Sequence, residues 1–406
     1  MQTRLAPRYQ GNPIAQEAEA ILRSCVHCGF CNATCPTYQV LGDELDGPRG
    51  RIYLLKELLA GEEARETTRL HLDRCLSCRA CETTCPSGVR YGRLLELGRH
   101  LQNSALPRSP DAVLKRRLIR AIISQLQRLR PLLGVAQALR PILRDPVART
   151  LPAPTPVPRP IPVTSPRRGK VLALAGCVQS VATPRTEAAL QAILAKLGYT
   201  LLHGTGAGCC GALSLHLDAW EEAHAQIRRN IDAWWPAIEA GVDTILISAS
   251  GCGSVVKDYG EILRNDSHYA AKAARVAALA RDPSEWLYAH RDELSQATAE
   301  QARIAFHSPC SLQHGQRIQG LAEAILQRLG YRLLPVADSH LCCGSAGSYS
   351  LLQPQLAQEL RRRKLKNLEA EKPQWIATAN VGCQLFLAQA TQTPLRHWLE
   401  LVAELL

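Results

Sequence analysis

Sixteen cysteines occupy three stretches of this 406-residue chain, and their spacing is what carries chemistry. Eight lie in two copies of one pattern, CVHCGFCNATCP at residues 25–36 and CLSCRACETTCP at residues 75–86, both of the form CxxCxxCxxxCP. A tight loop with this spacing wraps three thiolates around one [4Fe–4S] cube. The fourth cysteine starts a helix facing away and reaches the neighbouring cube. The ligand sets are therefore expected to cross, with Cys25, Cys28, Cys31 and Cys85 on one cluster and Cys35, Cys75, Cys78 and Cys81 on the other. Pro36 and Pro86 turn the chain where a missing N–H does no harm. A pair of zinc sites would need only four ligands each and leaves the third CxxC step and the CP ending unexplained. His27, between ligands, reads as an ordinary loop histidine.

The other eight cysteines recur as a repeat. Cys177, Cys209 and Cys210 return as Cys310, Cys342 and Cys343 at a step of 133 residues, and Cys252 returns as Cys383 at a step of 131. Leu197-Gly198-Tyr199 likewise returns as Leu329-Gly330-Tyr331. Two copies are too few for a solenoid and indicate sister domains. In each copy the cysteines follow strand-like apolar runs such as VLALAG and WIATANVG, so a parallel sheet would gather them at one edge. Glycines at 208, 211, 344 and 382 allow close backbone approach. Vicinal cysteines can be plain core residues, but no cysteine of this chain lies outside these motifs and the cluster motifs. Each copy is expected to hold a metal or a further cluster. His307, His314 and His340 lie near the second set, and each alone reads as structural. Trp234 and Trp235 read as core or interface residues.

The elements that must position these groups are legible in outline. Residues 1–105 carry short amphipathic helical stretches such as GRIYLLKELLAG and form a ferredoxin-type, two-cluster helical domain. Residues 106–168 combine basic helices, interrupted at Pro131 and Pro141, with the proline-rich linker LPAPTPVPRPIPVTSP. Residues 169–300 and 301–406 alternate β-rich and helical runs, as two duplicated α/β cysteine-rich domains do. The expected fold class is thus mixed: a helical di-cluster domain followed by two α/β domains.

Charge and composition narrow the functions. The formal charge of +12 resides in residues 107–170, where fourteen Lys or Arg face only Asp111 and Asp145. Nucleic-acid binding would call for aromatic residues among these charges, and there are none. The start MQTRLAPRYQ lacks an apolar signal core, and no apolar run reaches the length of about 20 residues that spans a bilayer. A cytoplasmic protein is expected, in which thiols bind metal rather than pair. The basic helices suit peripheral contact with anionic lipid on the cytoplasmic face of the inner membrane, or else a solvated or partner-docking face. No GxGxxG follows a strand, and no acid, base and oxyanion groups assemble for a 2-hydroxy acid, so substrate chemistry is assigned to another chain.

The pairing of a CxxCxxCxxxCP motif set with two CCG repeats resembles the iron–sulfur subunits of flavin-linked dehydrogenases. This group includes the glycerol-3-phosphate dehydrogenase C subunit and the heterodisulfide reductase B subunit. The stretches CVHCGFCNATCPTYQVLGDELDGPRGRIYL, CETTCPSGVRY, RRNIDAWWPAIEAG, SHLCCGSAGSY and LRHWLE resemble the glycolate oxidase iron–sulfur subunits across essentially the whole chain. The resemblance implies a non-catalytic electron-transfer subunit with two [4Fe–4S] clusters. A partner flavoprotein would oxidise glycolate to glyoxylate on FAD, and a quinone-type membrane acceptor would lie downstream. Subunits for D-lactate or glycerol-3-phosphate oxidation, or a metal-binding assembly scaffold, are the alternatives. One position departs from the heterodisulfide reductase pattern: where a closing CxxC would end each repeat, Val255 and Phe386 stand. That leaves an ordinary cluster, a zinc ion or a redox-active dithiol for each cysteine-rich domain.

Overall fold

A computed structural model describes residues 1–142, 168–294 and 302–406. The proline-rich linker at 151–166 lies outside the described residues. The chain divides into two compact units, one built from residues 1–117, 216–218 and 340–364, the other from 118–215, 219–339 and 365–406.

The first unit is helical. Its main helices are α1 (Pro13–Arg23), α2 (Phe30–Ala33), α3 (Pro36–Leu41), α4 (Pro48–Ala60), α5 (Glu66–Asp73), α6 (Ala80–Thr84) and α7 (Tyr91–Ala105). Asn12 caps α1 by accepting from the Ile14 and Ala15 amides, and Pro13 fills the first turn, where no N–H is needed. Ala18, Ile21 and Leu22 of α1, Leu55, Leu58 and Leu59 of α4, and Leu94, Leu95 and Leu101 of α7 are buried at helical spacing. These three helices pack on one another and leave the cysteine loops at their ends.

The two cysteine loops share one backbone. His27 and Ser77, two residues after the first cysteine of each motif, have φ of 58° and 54°, and Gly29 and Arg79 have 86° and 60°. The left-handed turns fold each loop back on itself, so that successive thiols point inward. The motifs differ beyond their fourth cysteine. Cys35 caps α3, as expected, whereas Cys85 leads into a turn at Pro86-Ser87 with Gly88 at φ 62°, and no helix starts there. Gly88 two residues after Pro86 favours the turn over a continuing helix.

The basic segment forms α8 (Pro110–Ile123) and α9 (Leu126–Leu139). Pro131 lies inside α9 instead of interrupting it. The break comes earlier, at Ser124, whose hydroxyl donates back to the Arg120 carbonyl at 2.6 Å. The helix is exposed on this side, so water can satisfy the carbonyl that proline leaves without a donor.

In the second unit two four-stranded sheets repeat one topology. The first comprises β1 (Gly169–Ala173), β2 (Tyr199–His203), β3 (Ile245–Leu246) and β4 (Ala280–Arg281), in the order β2-β1-β3-β4. The second comprises β5 (Arg303–His307), β6 (Arg332–Leu334), β7 (Trp375–Thr378) and β8 (Leu395–His397), in the order β6-β5-β7-β8. All pairings are parallel, with Gly169 opposite Tyr199 and Ile304 opposite Trp375. Parallel strands need helical crossovers, which is why strand and helix alternate here. The sheets share a core in which Val171, Leu190 and Leu246 join Ile304, Phe306 and Trp398. The sister domains are also tied by polar contacts: Ser250 N donates to Ala379 O at 3.1 Å, and the Ser250 and Ser311 hydroxyls meet at 2.8 Å. The fold is the mixed helical and α/β one that the composition leads one to expect.

Candidate cluster sites

Two small cavities open beside the cysteine loops of the first unit. One is lined by Cys25, Cys28, Cys31 and Cys85, together with His27, Arg49 and Ile52. The other is lined by Cys35, Cys75, Cys78 and Cys81, with Thr37 and Arg51. Pro48, Cys81 and Tyr91 border both, so a shared wall separates them. Cys25, Cys28 and Cys31 of the first loop and Cys85 of the second line the first cavity, with Cys81 on the shared wall, and Cys75, Cys78 and Cys81 of the second loop and Cys35 of the first line the second. Burial pushes the Cys31 thiol up to about 11 and raises Cys25 and Cys81 as well. Bare thiolates are disfavoured there, and binding a polynuclear iron centre requires its positive charge to displace those protons. Four soft sulfur donors around a pocket of this kind fit a cubane cluster.

The surroundings of the two cavities are unequal. At the second, the Cys35 sulfur lies 3.3 Å from the Thr37 hydroxyl, and Tyr91 donates to the Cys75 sulfur at 3.7 Å. Arg51 is wholly buried; its Nη2 donates to Thr37 Oγ1 at 3.1 Å, its Nε to the His71 carbonyl at 2.7 Å, and its Nη1 lies 4.0 Å from Cys35 Sγ. The buried Asp46 carboxylate accepts from Arg74 at 2.8 Å and lies 3.0 Å from His71 Nδ1. At the first cavity, Arg49 is partly exposed and paired with Glu44 at 2.6 Å. Cys28 is the one exposed thiol of the eight. Sequence reasoning missed Thr37, Asp46, Arg51 and Tyr91.

In the second unit the first cysteine-rich quartet converges. The Cys209 thiol interacts with those of Cys177 and Cys210, and Cys210 with Cys252. Its neighbours hold the Cys209 thiol well below its ordinary range, while the same interactions and burial push Cys177 and Cys210 well above theirs. The vicinal loop is pinned from behind by Asn230, which is fully buried. Its side chain accepts from Gly208 N at 2.8 Å and donates to Cys209 O at 2.9 Å and to Tyr259 Oη at 3.2 Å. Tyr259 in turn donates to Cys210 O at 2.8 Å. Asn230 lies in RRNIDAWW, where its neighbour Trp234 is a fully buried core residue.

Of the second quartet, Cys310 follows β5 and Cys383 lies in the helix Val381–Ala388 after β7, with Asn380 Nδ2 donating to its sulfur at 3.5 Å. Cys342 and Cys343 belong to the first unit and are buried there, with Gly344 N donating to Cys342 Sγ at 3.5 Å. Val255 and Phe386, at the positions of the missing fifth thiolate, are buried.

Residues 21–89 match the 4Fe-4S dicluster domain, and residues 171–257 and 304–388 each match the cysteine-rich domain. The chain is 51% identical to the glycolate oxidase iron-sulfur subunit of Escherichia coli, over 100% of this chain and 99% of that protein. It is 29% identical to the probable glycolate oxidase iron-sulfur subunit of Bacillus subtilis, over 90% of this chain and 88% of that one. Lactate utilization protein A of Geobacillus kaustophilus is 23% identical over 48% of this chain and 79% of its own length. From the two cluster pockets, the duplicated cysteine-rich domains and full-length identity of this order, the chain belongs to the family of glycolate oxidase iron-sulfur subunits.

Proposed function

We propose that this chain relays electrons from an FAD-containing partner, which oxidises glycolate to glyoxylate, to a quinone-type acceptor. The observation that carries the reading is the pair of cysteine-lined pockets sharing one wall in a single compact unit. The two [4Fe–4S] clusters, when bound, supply reversible one-electron storage. Cys25, Cys28, Cys31 and Cys85 would hold one, and Cys35, Cys75, Cys78 and Cys81 the other. The residues do the rest: the left-handed turns aim the thiols, Tyr91 donates toward the Cys75 sulfur, and the shared wall sets a short gap for transfer. Residues 1–105 would form this relay domain, 106–168 the basic connection, and 169–300 and 301–406 the sister domains. Cys177, Cys209, Cys210 and Cys252 would bind a further cluster or zinc, and Cys310, Cys342, Cys343 and Cys383 their equivalent by repeat. The partner is testable by copurification followed by a substrate screen. Glycolate is expected to drive dye reduction at least about tenfold faster than D-lactate or glycerol 3-phosphate. Equal or faster turnover with either of the others would reassign the complex.

The basic segment supports peripheral membrane contact near a quinone. No helix of the described residues is long and apolar enough to cross a membrane. Leu132, Val135, Leu139 and Ile142, at helical spacing along α9 and the turn after it, are all exposed, the last at 77%. Arg128, Arg130 and Arg140 accompany them. An apolar stripe among cations is the pattern that lies in a lipid interface. Changing Leu132, Val135 and Leu139 together to serine is expected to weaken binding to anionic vesicles by more than about tenfold, since each buried leucine or valine contributes about 1.5–3 kcal/mol. Unchanged flotation with the vesicles would exclude this face as the contact.

A further inference from the structure

Arg51 stands apart among the charged groups of the first unit. Its guanidinium is completely buried in the wall of the second cavity, with Cys35, Cys75 and Cys78. A buried cation needs a reason to be kept, because desolvation is costly. Asp46 supplies only part of it. That carboxylate is closer to Arg74, at 2.8 Å, than to Arg51, at 3.5 Å, and it also meets His71 at 3.0 Å. Two buried or half-buried guanidiniums thus share one carboxylate, leaving an excess of positive charge. Arg51 spends its remaining donors on Thr37 Oγ1 and the His71 carbonyl, which fix the guanidinium with Nη1 facing Cys35 Sγ at 4.0 Å.

Reduction adds one electron to an assembly that four thiolates already make anionic. A fixed cation at this range stabilises the reduced form more than the oxidised one, and low polarisability around it enlarges the effect. The hydrogen bond that Tyr91 donates to the Cys75 sulfur acts in the same direction. At the first cavity Arg49 is partly exposed and neutralised by Glu44, and the Met1 ammonium, which donates to Cys25 O at 2.7 Å, is only half-buried, so solvent screens both.

We propose that Arg51 sets the order of the two reduction potentials, holding the cluster on Cys35, Cys75, Cys78 and Cys81 above the cluster on Cys25, Cys28, Cys31 and Cys85. An electron delivered by the partner flavoprotein would then rest on the second cluster at equilibrium. Arg51 acts here as a positioning charge, and the inference rests on the crossed ligand sets proposed above.

The test is a redox titration of the full chain followed by EPR, with dithionite as reductant. In Arg51→Gln the higher of the two potentials is expected to fall, shifting its reduced-to-oxidised ratio at least tenfold, which for one electron is about 59 mV. The lower potential should stay in place. Arg51→Lys, which keeps the charge, should recover most of the shift. Should Arg51→Gln fail to fold or load, Arg74→Gln decides, because it leaves Arg51 in place and frees Asp46 to neutralise it. The same potential is then expected to fall by a smaller amount. No fall in that potential, or a fall in the other one, overturns the proposal. Cys28→Ser and Cys78→Ser assign each potential to its cavity. If both abolish the same signal, the ligand sets are wrong, an outcome separate from an unmoved potential in a protein whose signals assign cleanly.

Discussion

Serine at Cys28 is expected to abolish one of the two reduced-state EPR signals, and serine at Cys78 the other, each variant losing about half of the cluster iron of the N-terminal domain. The alkoxide is a harder donor than the thiolate and seldom holds a cube in place of sulfur. The crossed arrangement makes the sharper form of this result. Cys35 is four residues from Cys31 in sequence but lines the cavity of Cys75, Cys78 and Cys81, while Cys85 lines that of Cys25, Cys28 and Cys31. Cys35→Ser should therefore behave as Cys78→Ser does, and Cys85→Ser as Cys28→Ser does. Iron analysis alongside EPR of the dithionite-reduced protein reads this directly. If Cys35→Ser and Cys28→Ser remove the same signal, the ligands do not cross.

The second large effect is expected at Asn230, well away from those clusters in sequence. Its fully buried amide satisfies the Gly208 amide, the Cys209 carbonyl and the Tyr259 hydroxyl together. Asn230→Leu keeps approximate volume and takes the partner from the Gly208 amide and the Cys209 carbonyl, at about 1–3 kcal/mol for each, while the Tyr259 hydroxyl keeps its bond to Cys210 O. A loss of about 4 kcal/mol is expected, or a fall of roughly 10 °C in the unfolding transition of that part of the chain. Any metal held by Cys177, Cys209, Cys210 and Cys252 should go with it. Tyr259→Phe loses only the bonds of its hydroxyl and should cost about 1 kcal/mol. Calorimetry with metal analysis checks both variants, and an Asn230→Leu protein that melts like the parent would remove the loop-pinning role.

Legibility in the sequence tracks how local each feature is. The cysteine spacing is local, so the motifs, the duplication and the alternation of strand and helix could all be read directly. Asp46 and Arg51 could not: in GDELDGPRGRIYL they look like surface charges at a helix start. Their burial depends on His71 and Arg74, 25 and 28 residues beyond Asp46, folding back over them. Asn230 was hidden for the same reason, since its partners lie 21 to 29 residues away in other elements. The helix expected after Cys85 gave way to a turn because Gly88 adopts a left-handed conformation there. The break expected at Pro131 moved to Ser124, whose side chain competes for the backbone at the end of α8.

The relay itself is tested most directly by mixing the copurified complex with glycolate under anaerobic conditions, freezing it within one turnover, and recording EPR. Both cluster signals should appear in the intact complex and the second alone at the lowest glycolate dose, while flavin reduction precedes them. A flavin that is reduced by glycolate while both clusters remain oxidised would contradict the account and leave this chain as a metal-binding scaffold.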